Sequence, residues 1–348
     1  KSGNTWLIPS DTQLPLDGRT KEYADIQRLI YNQNITAPLK TDIEPNNLLK
    51  RKGLSNAHVK FIELYHKKPD FTVFTPYRIC PLGAHVDHQL GEITGFAIDK
   101  GIHIAYGAKQ NGVIEISSLL FPKRAQWHVM STPAEKQNDW ADHLRGATIV
   151  LSRHFPLRVG LCAIIDGELP IGGLSSSAAV IISFLTALCK LNNINLSARQ
   201  LIDFSKLAEN KYVGVSCGKL DQSCEMYCKK DHLLYLDTKT DSYQLLPAPA
   251  NLKPFKIAVF FSGLERSLAS SKFNMRVDEC RSAAYALKAF SDAEYGKFDD
   301  TNLSDVSYDT FLKYKHQLPK TWLKRAEHFY SEQNRVKAGV QAWINGDI

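Results

Sequence analysis

Nowhere in these 348 residues is there an apolar run long enough to cross a membrane, and no secretory leader opens the chain. Those absences make the cytoplasm the expected location. Cysteine supplies no framework either: the seven are an odd number, widely spaced, with Cys162 and Cys189 inside apolar runs. That pattern predicts reduced, buried thiols rather than disulfides. Cys217, Cys224 and Cys228 form no Cys-x-x-Cys pair, which argues against a zinc site. Internal repeats and low-complexity tracts are missing too. So is a strong charge of one sign, since 43 Lys and Arg against 36 Asp and Glu leave +7. The basic clusters, Lys50-Arg51-Lys52, Lys67-Lys68 and Lys229-Lys230, are short and read as solvated faces rather than a nucleic-acid track. An anionic small substrate is compatible with this charge but is not indicated by it.

What is present is ordinary globular material, 44% apolar and 23% charged, in a chain long enough for two domains. Residues 1–55 are polar, with one helix-like piece near Glu22 to Tyr31, and read as an extension. Helical spacing follows at Asn56 to His66. Strand-like alternation marks Phe71 to Phe74, Ile93 to Ala97, Ile102 to Ala108 and Val113 to Ser117. A helix is expected from Asp139 to about Ser152, a strand from Leu157 to Asp166, and an apolar helix from Val180 to Leu191. Ser197-Ala198-Arg199-Gln200 is a capping-box pattern opening a helix that reaches Glu209. Asp221 to Lys229 looks helical, and Leu233 to Asp237 and Phe255 to Phe261 read as strands. Helical periodicity then dominates, to Phe290 and from Pro319 to Asn345. Strands first and helices later predict an α+β fold of two domains, residues 56–250 and 251–348, with a seam near Ala248 to Pro254.

Three stretches carry chemistry. The central one is Pro170-Ile171-Gly172-Gly173-Leu174-Ser175-Ser176-Ser177-Ala178-Ala179, between a strand and a helix. Adjacent glycines permit left-handed backbone and close approach of a ligand. The serines place hydroxyls and unpaired N–H groups at a helix start, which suits a phosphate. No Lys follows the glycines, so this is not a Walker A loop. Alone, it reads rather as a glycine turn with a serine N-cap leading into a core helix. The second stretch, Pro76-Tyr77-Arg78 through Gly83-Ala84-His85-Val86-Asp87-His88, joins a fixed planar cation to several ionisable groups. His85 and Asp87 alternate, so on an extended backbone both face one way. His85, Asp87 and His88 also suit a metal-dependent hydrolase, but no further ligand cluster accompanies them. The third has Glu209 at one helix end and Asp221 opening the next element, across a loop containing Cys217 and Gly218. Two carboxylates there can divide metal binding and general-base work.

In this order, the three stretches resemble the GHMP kinase superfamily, specifically its galactokinase branch, over about residues 56–348. Trp140-Ala141 with Gly146 resembles the segment that packs on adenine. Ser262-Gly263 through Phe273, Arg276 and Cys280 resembles the start of the second domain. The resemblance implies a two-domain GHMP kinase-like fold and Mg²⁺-dependent phosphorylation of a sugar at its anomeric hydroxyl by ATP. It implies that Asp221 is the base and that Arg78 stabilises charge between base and phosphoryl group. Gly172, Gly173, Leu174, Ser175, Ser176 and Ser177 would hold the phosphates, and Ser177 and Glu209 the Mg²⁺. His85, Asp87, Cys217 and Gly218 would line the sugar site, and Trp140 would meet adenine. The partners implied are the sugar and ATP, with no nucleic acid, membrane or protein partner.

Three departures bear on this. Galactokinases carry Glu, which binds the sugar 6-hydroxyl, where this chain has Ala84, and Tyr where it has Phe273. The superfamily's closing glycine-rich motif has no counterpart before Asp347-Ile348, so the second domain is expected to be incomplete. The preferred expectation is a kinase of D-galacturonic acid. The alternatives are a kinase of a neutral sugar such as galactose or arabinose, and a kinase-like sensor that binds sugar and nucleotide without turnover.

Overall fold

The longest strand of the sheet runs without a break from Glu92 to Lys109, joining two stretches that alternation reads as separate strands, by way of Gly95 and Gly101. Both glycines are places of close approach. A Cβ on Gly95 would run into the Cys224 sulfur, and one on Gly101 into the backbone of Thr75 and Pro76, so glycine lets neighbouring elements close onto the strand. The computed structural model describes residues 55–169, 173–260 and 272–347, all within the unit Leu48–Ile348. The helix expected near Glu22 to Tyr31 lies outside the described residues.

In chain order, α1 (Asn56–Tyr65) leads into β1 (Phe71–Ile79), β2 (Glu92–Lys109), β3 (Val113–Ser118) and β4 (Ala125–His128). There follow α2 (Asp142–Ser152), β5 (Gly160–Gly167), α3 (Ser176–Leu191) and α4 (Ala198–Ala208). Then come α5 (Leu220–Tyr227), the hairpin β6 (His232–Asp237) and β7 (Ser242–Pro247), and the helices α6 (Phe273–Phe290), α7 (Tyr308–Tyr314) and α8 (Lys320–Asn345). The sheet order is β4-β3-β5-β2-β6-β7, with β1 also paired to β2. Only β3 and β5 run parallel among these pairs.

Apolar alternation marks β1 only to Phe74, yet its pairing continues to Ile79 with a register shift between Pro76 and Arg78. Proline has no N–H for the ladder, and the irregularity falls just before Arg78. Helix α3 starts at Ser176, four residues before the apolar run suggests. It is buried along most of its length, and Ser183 on it donates to Thr75 of β1 at 2.6 Å. A second apolar cluster ties Val86 and Ile93 to Leu220 and Cys224 of α5 and to α6, α7 and α8 through Cys280, Leu287, Phe311, Phe329 and Tyr330. Burying these side chains together is what brings the last helices against the loop after β1.

One expected element, the strand from Phe255 to Phe261, does not form over its described residues. Residues 255–260 carry strand alternation but join no ladder among the described residues. Phe255, Ile257 and Val259 are 45%, 43% and 50% exposed, because alternation without a paired neighbour leaves both edges open. All seven cysteines are free thiols.

Candidate active site

The end of β1 and the start of α5 meet through an ion pair. Arg78 places Nε 2.8 Å and Nη2 2.7 Å from the same oxygen of Asp221, Oδ1. Its third nitrogen, Nη1, donates to the carbonyl of Gly173 at 3.1 Å. One guanidinium therefore bridges the carboxylate and the glycine-serine loop. Burial works against the charge on Arg78, but Asp221 outweighs it and the net shift of the Arg78 pKa is upward. Oδ2 of Asp221 has no bond among the described residues, and the side chain is 23% exposed.

Gly172 lies outside the described residues. From Gly173 onward the loop is left-handed twice in three residues, at Gly173 (φ 69°) and Ser175 (φ 64°). Glycine adopts this at no cost; serine does not, and strain of this kind is held where the surroundings over-determine it. Ser175 stands at the N-cap of α3 without making a cap bond, so the serine-cap reading fails there. Its Oγ is buried and has no partner among the described residues. Leu174 is half-buried, and Ser176 begins the helix proper. A strained turn, an orphan hydroxyl and a 16-residue helix start converge on one point, an arrangement that suits an anion.

Ser177, one residue into α3, hydrogen-bonds Glu209. Glu209 follows α4 as the first residue of a π-helical turn, Glu209–Val213. It is 3% exposed, and its Oε2 accepts from Gln222 Nε2 at 2.7 Å, with Cys217 Sγ at 3.5 Å. Burial, and then the charge of Asp221, push the Glu209 pKa up to about 7. A carboxylate so short of positive charge, with a hydroxyl beside it, fits a hard divalent cation that takes oxygen ligands and leaves most positions to water and phosphate. Cys217 also lies 3.1 Å from Asn210 Oδ1, and its thiol is held neutral by burial and by Glu209.

The loop after β1 does not lie extended. His85 is left-handed (φ 60°) and Asp87 opens a 3-10 turn, Asp87–Gln89, so the expectation that alternation alone puts His85 and Asp87 on one face is corrected. The amides of Gln89 and Gly91 both fold back onto the Val86 carbonyl, at 2.9 and 3.0 Å, which closes the turn. Asp87 Oδ2 accepts the Leu220 amide at 3.1 Å. A Cβ on Gly218 would overlap the Asp87 side chain, so this glycine is what allows the Asp221 loop to close on Asp87. The Phe273 ring stands against both histidines, 6.2 Å from His85 and 5.7 Å, edge-on, from His88. Burial holds the His88 pKa down at about 4, although Asp87 pulls it the other way. Among the described residues no group of three His, Cys, Asp or Glu is placed to hold a metal ion, which counts against the hydrolase reading of this loop.

Comparison with known proteins adds an independent line. The signature of the GHMP kinases N terminal domain matches residues 142–229. A galacturonokinase of Arabidopsis thaliana is 34% identical over 297 residues, spanning 79% of this chain and 69% of the relative. A galactokinase of Chloroflexus aurantiacus is 31% identical over 297 residues, spanning 85% and 74%. The chain belongs to the galactokinase branch of the GHMP kinase superfamily. The crystal structure of Lactococcus lactis galactokinase complexed with galactose shares the GHMP kinase fold, with a TM-score of 0.71 at 24% identity over 83% of this chain and 74% of that one.

Against this GHMP kinase frame, the sequence reading misses a contribution from α8. Glu332 accepts the Gly83 amide at 2.7 Å, and His328, one turn earlier, donates from Nε2 to the Ala84 carbonyl at 3.0 Å. Gln333 both accepts from the Glu92 amide (2.9 Å) and donates to its carbonyl (3.1 Å). Burial works against the charge on Glu332, but the Gly83 amide and then Arg335, 2.6 Å from its other oxygen, hold its pKa below the ordinary range. These partners are some 240 positions apart and are backbone groups on one side, so no residue pattern announces them. Glu225 is the other omission. It stands one turn after Asp221 on α5, buried, with neither carboxylate oxygen bonded among the described residues, and burial raises its pKa well above the usual range. Trp140 sits just before α2, its ring stacked on Phe121 at 5.6 Å and its Nε1 donating to the Lys123 carbonyl at 2.9 Å.

Proposed function

We propose that this protein is an ATP-dependent sugar-1-kinase whose substrate is D-galacturonic acid. The observation that carries the kinase reading is the single guanidinium of Arg78 bridging Asp221 and the Gly173 carbonyl. A base placed one arginine away from a phosphate-binding turn has what in-line phosphoryl transfer needs: a nucleophile's proton acceptor, a fixed cation and an anion cradle.

Asp221 takes the proton of the anomeric hydroxyl on Oδ2, the oxygen that Arg78 leaves unbonded. Arg78 keeps its charge through this step and balances the negative charge that develops between the sugar oxygen and the phosphoryl group. Gly173, Ser175 and Ser176, with the first amides of α3, hold the phosphates, and the Ser175 hydroxyl gains the partner it lacks. Ser177 and Glu209 would hold Mg²⁺, which neutralises phosphate charge and orients the transferring group. His85 and Asp87 bind sugar hydroxyls. The Leu220 amide occupies Oδ2 of Asp87, which leaves Oδ1 to accept from a sugar hydroxyl. Phe273 gives this pocket an apolar wall without a hydroxyl.

The choice of sugar rests on Ala84. A carboxylate at this position would face the C6 carboxylate of a uronic acid, and two such charges about 4 Å apart repel by roughly 4 kcal/mol at an intermediate effective dielectric. A methyl group removes the repulsion and leaves room for the second oxygen. It also gives up the hydrogen bond that a neutral 6-hydroxyl would receive, so selectivity shifts by deletion of an opposing group. The resemblance in sequence to a galacturonokinase supports the same substrate. Coupled ADP-release assays with D-galacturonate, D-galactose and L-arabinose test it. A higher kcat/KM for galacturonate is expected, and Ala84→Glu should turn the preference toward galactose. A wild-type preference for either neutral sugar overturns the uronate assignment, and ATP and sugar binding without ADP release overturns the enzyme in favour of a sensor.

A further inference from the structure

Lys219 is the residue immediately before α5, two positions ahead of Asp221, and nothing in the chemistry above uses it. Its side chain turns away from the sugar and phosphate groups and is only 17% exposed. Nζ lies 2.9 Å from Asp203 Oδ1 on α4, and 3.0 and 2.9 Å from the two oxygens of Asp241 in the turn between β6 and β7. Arg199 completes the network on Asp241 Oδ2 at 2.7 Å. Two cations and two carboxylates thus neutralise one another. Burial opposes the charge on Lys219, but the two aspartates outweigh it. On the site side of the same backbone, Gly218 is pressed against Asp87 and the Leu220 amide is bonded to its Oδ2.

We propose that Lys219 is a positioning residue: by anchoring the start of α5 to Asp203 and Asp241, it sets where Asp221 stands relative to Asp87. The inference rests on the sugar-kinase reading for its kinetic consequences, but not for its structural ones. The loop from Gly214 to Gly218 has no regular ladder of its own, and the lysine is its charged attachment to α4 and to the β6–β7 turn. Losing the attachment frees the Leu220 amide and lets the base drift from the hydroxyl it must reach. Misplacement by about 1 Å costs on the order of 100-fold in rate.

Lys219→Met, Lys219→Arg and Asp203→Asn provide the test, each in the full chain. Hydrogen exchange of the segment from Gly214 to Tyr227 is compared with that of α3, alongside kcat and both KM values per folded molecule. In Lys219→Met the Leu220 amide should lose protection while α3 keeps its own. The value of kcat should fall roughly 100-fold, with the sugar KM raised and the ATP KM unchanged. Lys219→Arg should recover most of the loss. If Lys219→Met proves too unstable to study, Asp203→Asn leaves Lys219 with Asp241 and should show the same pattern in smaller measure. A variant that merely melts earlier, with exchange near Leu220 and kinetics per folded molecule unchanged, overturns the proposal. Should the wild-type protein release no ADP with any sugar, the kinase reading falls, and exchange at Leu220 still decides the role of Lys219.

Discussion

The two halves of the candidate site are held in different ways. On the proposed phosphate side, the groups assigned to the chemistry grip one another: Arg78 binds Asp221, Ser177 binds Glu209, and Gln222 adds a second bond to Glu209. On the proposed sugar side, the loop from Gly83 to His88 is gripped from outside, by Glu332 and His328 of a helix far away in the chain, while Gln333 holds Glu92 just beyond it. The first half is a network of charged side chains, in which a substitution removes chemistry directly. The second is a backbone shape imposed by packing, in which a substitution outside the site moves recognition without touching catalysis. The electrostatics differ in the same sense: the proposed phosphate side has surplus buried acid, in Glu209 and Glu225, and the proposed sugar side has a half-buried imidazole of lowered pKa in His88.

The largest expected effect lies on the phosphate side. Asp221→Asn should lower kcat by at least ~10²–10⁴-fold, the usual worth of a general base, while calorimetry still shows sugar and nucleotide binding. Turnover close to wild type in this variant would place the base elsewhere. Next is Glu332→Ala, which leaves the Gly83 amide without its acceptor. A buried donor so stranded costs about 1–3 kcal/mol. The sugar KM should rise while the ATP KM stays put, with Glu332→Gln in between; an equal rise in both KM values would erase the distinction between the halves.

Acidity separates the halves more finely. Glu209 has its pKa raised in the fold from the ordinary 4.5 to about 7, so the folded ligand-free protein binds the extra proton between those values. It therefore loses stability as pH rises through that window. His88 is lowered from 6.5 to about 4, so the unfolded chain binds the extra proton, and stability is lost as pH falls from 6.5 towards 4. Each shift corresponds to on the order of 3 kcal/mol at full extent. Urea unfolding at pH 5 and pH 7.5 should show Glu209→Gln relieving the loss on the alkaline side and His88→Gln the loss on the acid side. Identical slopes in wild type and both variants would contradict it. The smallest effect is expected for Trp140→Ala, a several-fold rise in ATP KM with the sugar KM unchanged; thermal destabilisation alone, at unaltered ATP affinity, would make Trp140 a packing residue.

Much of the fold is legible from residue spacing. The capping box at Ser197 forms as written, with Gln200 bonding back to the Ser197 amide, because both partners lie within one helical turn. Helices α1, α2, α6 and α8 fall close to their periodic stretches for the same local reason. Misreadings arise where a neighbour decides. Ile93 to Ala97 and Ile102 to Ala108 look like two strands but form one, in which Gly95 and Gly101 serve close approach. The alternation at 255–260 has the rhythm of a strand and joins no ladder among the described residues. Strand β4 and strand β7, short and partly polar, become strands only by pairing with β3 and β6.

By itself the sequence determined which chemical groups this protein possesses and in what order they come: Arg78 before the sugar loop, the glycine-serine turn ahead of an apolar helix, and Glu209 and Asp221 around Gly218. Those are local matters, set by residue type and by spacing within a turn or two. Tertiary structure decided which of these groups touch. Asp221 meets Arg78 across 143 positions and Gly83 meets Glu332 across 249, separations at which no periodicity survives. It also decided their charge states, since an ordinary glutamate becomes a weak acid at position 209, and an ordinary histidine a weak base at position 88, only when the chain folds over them and takes the water away.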